Sequence, residues 1–218
     1  MEDSQRDDFS LKNYERCLDI SLENDFNFFK LSQLEEAKKC KKSILSRHDI
    51  DTQLDVALEM SRLEASRNIF STFFIRLHSH SYNVFCLKDL RKILKIIEDG
   101  HEIGLHYETD FYSIFKKSEN EEIQREIDIL ENLTGESITT ICPHEPTRTN
   151  SFYVEGFDPA VHQAYDPKFF KDFKYISDSS CRWREGSFYE NVTNGEFNKL
   201  YILTHPYWWY HTSPIENY

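Results

Sequence analysis

The sequence predicts an α/β protein, a parallel sheet covered by helices and either open or closed into a barrel. Three observations predict it. From residue 43 onward, β-branched and aromatic runs alternate with helix-period segments, which is the order that parallel strands and their crossover helices produce. The 218 residues are 39% hydrophobic and 15% aromatic, enough for a real core and too apolar for a disordered chain. The first glycine is Gly100 and all six prolines lie from Pro143 to Pro214, so regular elements are expected in the front half and longer irregular loops in the back.

Leu11, Tyr14, Leu18 and Leu22 recur at three- and four-residue spacings, which predicts an amphipathic helix packed as an N-terminal extension. SILSR (43–47) reads as a short strand, LDVALEMSRLEAS (54–66) as a helix and NIFSTFFIR (68–76) as a strand. LKDLRKILKIIEDG (87–100) is a helix closed by its glycine, and HEIGL (101–105) is the next strand. SENEEIQREIDILENLTG (118–135) opens on a Ser118 cap and closes on Gly135, ahead of a strand in SITTIC (137–142). KYIS (174–177) and KLYILT (199–204) complete the strands. No repeat or linker divides the chain, so a single compact domain is expected.

Charge and termini exclude several classes. Lys+Arg 26 against Asp+Glu 38 gives −12, and a surface so acidic repels phosphate backbones; nucleic acid is not an expected partner. No run approaches the roughly 18 apolar residues of a spanning helix, and MEDSQRDDFS is acidic where a signal peptide is basic and then apolar. A cytoplasmic location is expected. The five cysteines form no CxxC pair, and are read as free thiols acting as small hydrophobes outside any site.

The informative residues stand at the strand ends. SILSR runs into His48, Asp49 and Asp51, HEIGL into His106, TTIC into His144, KYIS into Asp178 and KLYILT into His205. Parallel α/β sheets gather the carboxyl ends of their strands on one face, where barrel enzymes assemble their sites. Asp49 and Asp51 are two apart, so on a strand both carboxylates point the same way, an arrangement that needs a cation or a shared proton. The competing reading is a helix cap, Asp51 or Thr52 ahead of Leu54. His106 beside an Asp pair makes an N and O donor set suited to zinc or a similar divalent ion. His78, His80, His162 and His211 fit no such placement and are read as surface residues.

The strings RHDID (47–51), GHEIGLH (100–106) and LTHPYWW (203–209) resemble, in that order, the motif series of the polysaccharide deacetylase family of carbohydrate esterases (family 4-like, NodB homology domain), and most of all its short branch associated with surface-polysaccharide biosynthesis. The resemblance implies a distorted (β/α) barrel of about seven parallel strands at residues 43–218, preceded by the helical extension at 1–42. It implies that Asp49 is the general base and Asp51 a metal ligand, although Ile50 separates two residues that are usually adjacent. His106 matches the first histidine of the family's ligand pair, while Asp110 stands where the second is found; His144 is the preferred third ligand, with Asp110 and Glu108 as rivals. The arginine orienting the base is Arg148 or Arg184, and His205 matches the general acid.

One divalent ion, zinc by its donor set, is the expected cofactor, with Asp178 holding the His205 ring. Trp208, Trp209, Trp183 and Arg148 are the expected substrate-binding residues, because sugars stack their C–H faces on aromatic rings; core packing competes for one of the adjacent pair Trp208 and Trp209. The function expected is removal of an N-acyl group, acetyl above all, from an amino sugar or a polysaccharide precursor. The alternative is an inactive barrel that binds a glycan or serves as a scaffold in polysaccharide biosynthesis.

Overall fold

The structure, a computed structural model, describes residues 8–114 and 118–216. Among the described residues eight parallel strands form one sheet: β1 (Asn27–Phe29), β2 (Ser43–Ile50), β3 (Thr72–Ile75), β4 (Glu102–Tyr107), β5 (Thr140–Pro143), β6 (His162–Gln163), β7 (Lys174–Ser177) and β8 (Lys199–Thr204). Seven of them run in the order β6-β5-β4-β3-β2-β8-β7, and β1 adds to the first half of β2 on the same side as β3. This is a distorted (β/α) barrel, curled but left open between β6 and β7. Aromatic rings bridge that gap: Tyr165 and Tyr175 lie 6.5 Å apart, Phe170 lies 5.3 Å from Tyr175, and the Tyr201 hydroxyl donates to the Ala164 carbonyl at 2.9 Å.

Six described helices of more than one turn cover the outside: α1 (Leu11–Glu23), α2 (Leu34–Lys39), α3 (Leu54–Ala65), α4 (Leu87–Glu98), α5 (Glu119–Thr134) and α6 (Phe188–Thr193). Local chemistry sets their ends. The Ser10 hydroxyl accepts from the Asn13 N–H to start α1, Ser118 and Glu121 form a capping box at α5, and Gly135 takes the left-handed conformation (φ 79°) that stops it. The first 42 residues, expected to be helical, also supply the strand β1. It is three residues long and too short for its period to show in the sequence.

β2 lies at the centre with all eight residues buried, and its alternation sorts them between two environments. Leu45 enters the barrel interior with Phe74, Cys142, Phe169 and Tyr201. Ile44 faces outward with Tyr14 and Leu18 of α1, Leu200 and Trp209, while Ile50 joins the layer beneath α3, α4 and α5. Arg47 and Asp49 share the inward side with Leu45, so the strand carries charge up the middle of the barrel to its open end. Among the described residues no helix is long and apolar enough to cross a membrane.

Candidate active site

The register of the sheet assembles the site. His48 pairs with Thr204, which brings Asp49 and His205 to neighbouring strand ends, and His106 pairs with Cys142, two residues before His144. Asp51 lies just beyond β2; the N-cap of α3 is Gln53, so the capping reading of Asp51 and Thr52 is not realised. His106 Nε2 stands 3.3 Å from Asp51 Oδ1 and 3.9 Å from Asp49 Oδ2, and His144 Nε2 stands 3.5 Å from the same Asp51 oxygen.

These residues fit a divalent ion. Asp51 Oδ1 is buried and accepts no hydrogen bond, although two imidazole nitrogens face it. Separations of 3.3 and 3.5 Å suit ligands sharing one tetrahedral ion with bonds of about 2.0–2.2 Å. The His106 Nδ1 side is bonded to the Cys142 carbonyl at 3.0 Å, a backbone partner that leaves Nε2 as the ligand nitrogen. Burial works against the charged form of Asp51, yet His106, with His205 and His144, holds its carboxyl well below the usual range. Burial lowers His144, reinforced by His106, which favours the neutral ring that a ligand needs. Asp49, His106 and Cys142 form a second, fully buried group whose ligand atoms lie within 4.8 Å of one another and could hold a metal. Burial pushes the Cys142 thiol up, so it stays protonated and donates its S–H to Asp49 Oδ2 at 3.7 Å.

Across the site, the His205 ring Nδ1–H donates to Asp178 Oδ1 at 2.6 Å, and the backbone N–H of His205 donates to Oδ2 at 2.9 Å. Burial disfavours the charged ring, but Asp178 beside it, with Asp51 and Asp49 beyond, holds it up at about 9. The raised value favours the doubly protonated ring at neutral pH, and Asp178 is buried beneath it.

A cavity of about 960 Å³ opens over these groups, lined by Asp49, Asp51, His106, His144, His205 and Trp208 among others. A second, of about 860 Å³, adjoins it and shares Asp51, His144 and Trp208. Several expected residues lie elsewhere. Asp110 is 57% exposed and paired with Arg148, which is itself 55% exposed at the cavity rim and bonded to Glu145 as well. Glu108 pairs with Arg76 at 2.5 Å. Trp209 and Trp183, expected to bind substrate, are buried at 0% and 3% exposure around Phe9, out of reach of any sugar. His78 and His162 are half-buried instead of exposed, the former against Glu126 at 2.7 Å.

The arginine beside Asp49 is neither Arg148 nor Arg184. It is Arg47, fully buried, with Nε 3.5 Å from Asp49 Oδ1 and Nη1 3.0 Å from the Tyr201 hydroxyl. Its guanidinium lies 4.6 Å from the Tyr165 ring and 5.4 Å from the Tyr201 ring, which offsets part of the cost of burying it. The signal is present in the sequence: the period of two that aligns Asp49 with Asp51 also aligns Arg47. The cysteines are free, as expected, but not all lie outside the site: Cys142 touches Asp49 and Cys181 lines the cavity. Phe152, Tyr165 and Tyr175 line it too, giving it aromatic walls where the sequence pointed to tryptophan.

Comparison with solved structures then returns proteins of one kind. The structural neighbours are family 4 carbohydrate esterases. A family 4 carbohydrate esterase from Bacillus anthracis matches with TM-score 0.48 and 15% identity over 86% of this chain and 75% of that one. A family 4 pseudoenzyme from the same organism matches with TM-score 0.46 and 14% identity over 76% of this chain; the chain spans 55% of its length. A peptidoglycan deacetylase from Bacillus subtilis matches with TM-score 0.44 and 19% identity, over 76% of this chain and 75% of that one. No protein-family model and no curated protein matches the chain.

Proposed function

We propose that the protein is a metal-dependent hydrolase that removes an N-acyl group, acetyl above all, from an amino sugar or a polysaccharide precursor. The observation that carries this reading is the placement of a metal-suited Asp51, His106 and His144 set between a buried carboxylate, Asp49, and a protonated imidazole, His205, on the floor of one cavity. A divalent ion held by those three residues, zinc by its N and O donors, would polarise the amide carbonyl and acidify a water. Asp49 takes the proton from the attacking water. Arg47 and the Cys142 thiol hold its two oxygens from below, so the carboxylate stays aimed at the cavity. His205 gives its proton to the departing amine, and Asp178 keeps the ring turned with Nε2 toward the substrate. Trp208, Phe152, Tyr165 and Tyr175 supply the apolar faces against which a sugar ring packs.

The test separates the roles. Asp51→Ala loses metal and activity together, measured as metal per protein and acyl group released from a panel of N-acylated amino sugars. His205→Ala keeps its metal and loses about 10² to 10⁴ in turnover, the usual contribution of a placed proton donor. Metal-free protein that binds sugar without turnover would favour an inactive glycan-binding barrel, and activity indifferent to a chelator would overturn the metal mechanism.

A further inference from the structure

We infer that Trp209 is a positioning residue for the Asp178–His205 pair and that the N-terminal segment, by bracing Trp209, sets the direction of the proton donor; the inference rests on His205 acting as the acid.

Asp178 Oδ1 receives the His205 ring N–H at 2.6 Å and Oδ2 receives the Trp209 indole N–H at 3.0 Å, while the His205 backbone N–H is shared between them, 2.9 Å from Oδ2 and 3.1 Å from Oδ1. A carboxylate can turn about its Cβ–Cγ bond and exchange its oxygens. The indole donor holds Oδ2 on the core side, which leaves Oδ1 facing the imidazole. Indole is a donor only, so it makes the same bond at every working pH. A tryptophan serving as core filler needs only its ring; here the one polar atom of a fully buried side chain is aimed at the one carboxylate that holds the acid.

Trp209 is in turn held from outside the barrel. Its ring meets Tyr14 at 5.0 Å and Phe9 at 5.3 Å, both edge-on. The backbone of the two segments is stitched together, Leu11 N–H to Tyr210 O at 2.7 Å and Tyr210 N–H to Phe9 O at 3.0 Å. The Tyr14 hydroxyl donates to Glu64, which meets His48 Nε2 at 3.0 Å, and His48 Nδ1 is bonded to Thr204 at 2.6 Å. His48 precedes the base and Thr204 precedes the acid. Residues 9–14 therefore grip, through Trp209 on one side and Glu64 on the other, the two strand ends that must face each other across the substrate.

Trp209→Phe keeps an aromatic ring, smaller than the indole, and removes the donor. Expected is a fall in kcat of about 10-fold to 100-fold, part of what a placed acid contributes, with KM and metal content unchanged. An activated aryl ester such as a nitrophenyl acetate, whose phenolate departs without a proton, restores most of the loss. An unchanged kcat, or a loss that the aryl ester does not relieve, overturns the role. The indole N–H resonance of Trp209, assigned by its absence in Trp209→Phe, is read without any turnover and should be slow to exchange and shift in Asp178→Asn. A signal indifferent to that substitution overturns the positioning role alone, whereas wild-type protein inert on every substrate overturns the hydrolase reading.

Discussion

At the scale of single residues, the site is a set of charges placed where water cannot neutralise them cheaply, so each charge is held by its neighbours. Asp49 sits between Arg47 and a protonated thiol, and Asp178 between an imidazole and an indole. The consequence is clearest for His205. Its ring is held up at about 9 against burial, chiefly by Asp178, so the donor form is present below that value and is lost as pH rises through it. The activity profile should therefore show a falling limb near pH 9. Asp178→Asn removes the negative partner, and the limb should move to lower pH along with a drop in the plateau. A limb that stays in place in Asp178→Asn would show that another group sets it, as read from kcat across the pH range. These residues differed in legibility. Asp49, Asp51, His106 and His205 follow strand patterns directly, whereas Cys142 lies inside its own strand and gives no outward sign of touching Asp49.

At the scale of elements, β4 shows how a strand makes room for a site. Gly104 lies two residues before His106 and so on the same inward side. A Cβ there would come 2.5 Å from the Phe74 ring and 2.6 Å from Thr140 Oγ1, closer than real contacts allow. Phe74 is fully buried and lies 6.3 Å from the His106 ring and 5.9 Å from the Arg47 guanidinium, so displacing it disturbs both His106 and Arg47. Gly104→Ala should destabilise the fold by about 1–3 kcal/mol, the range for overpacking a core, and weaken metal binding as well. Denaturant midpoints and metal titration check it; an unchanged midpoint would mean that Phe74 has room to move. The glycine inside GHEIGLH was visible in the sequence, but the ring it accommodates belongs to the neighbouring strand and could be found only from the register.

At the scale of the whole molecule, a buried polar network on the outer face of the sheet joins α1, α3, β2 and the start of β4. Glu64 of α3 receives the Tyr14 hydroxyl and meets His48 at 3.0 Å and His101 at 3.5 Å. Burial alone would raise its carboxyl, but His48 and His101, with Tyr14, hold it below the ordinary range. A lowered folded value means stability that is present above the unfolded carboxylate pKa of about 4.3 and is lost as pH falls through the folded value. His101 carries the same sign: burial lowers it in spite of Glu64, so its neutral form is stabilising above about 6.5, and that stability is lost on acidification. Thermal midpoints should therefore begin to fall below about pH 6.5, as His101 charges, and fall further below about pH 4.3, as Glu64 is protonated. Glu64→Gln should lower the midpoint at neutral pH and flatten the acid end of the curve. An equally steep curve in that variant would place the acid sensitivity elsewhere.

The amino-acid sequence by itself determined the alternation of strands and helices, the capped ends of α5, and the set of strand ends that carry Asp49, Asp51, His106, His144, Asp178 and His205, because period, caps and strand termini are local properties of the chain. Only the tertiary structure decided which tryptophan faces the cavity, which arginine stands beside Asp49, that the barrel stays open between β6 and β7, and that Asp110 turns away to Arg148. Each of those depends on which distant residue fills the adjoining space. Strand register and close packing settle that, and neither is written in the spacing of one segment.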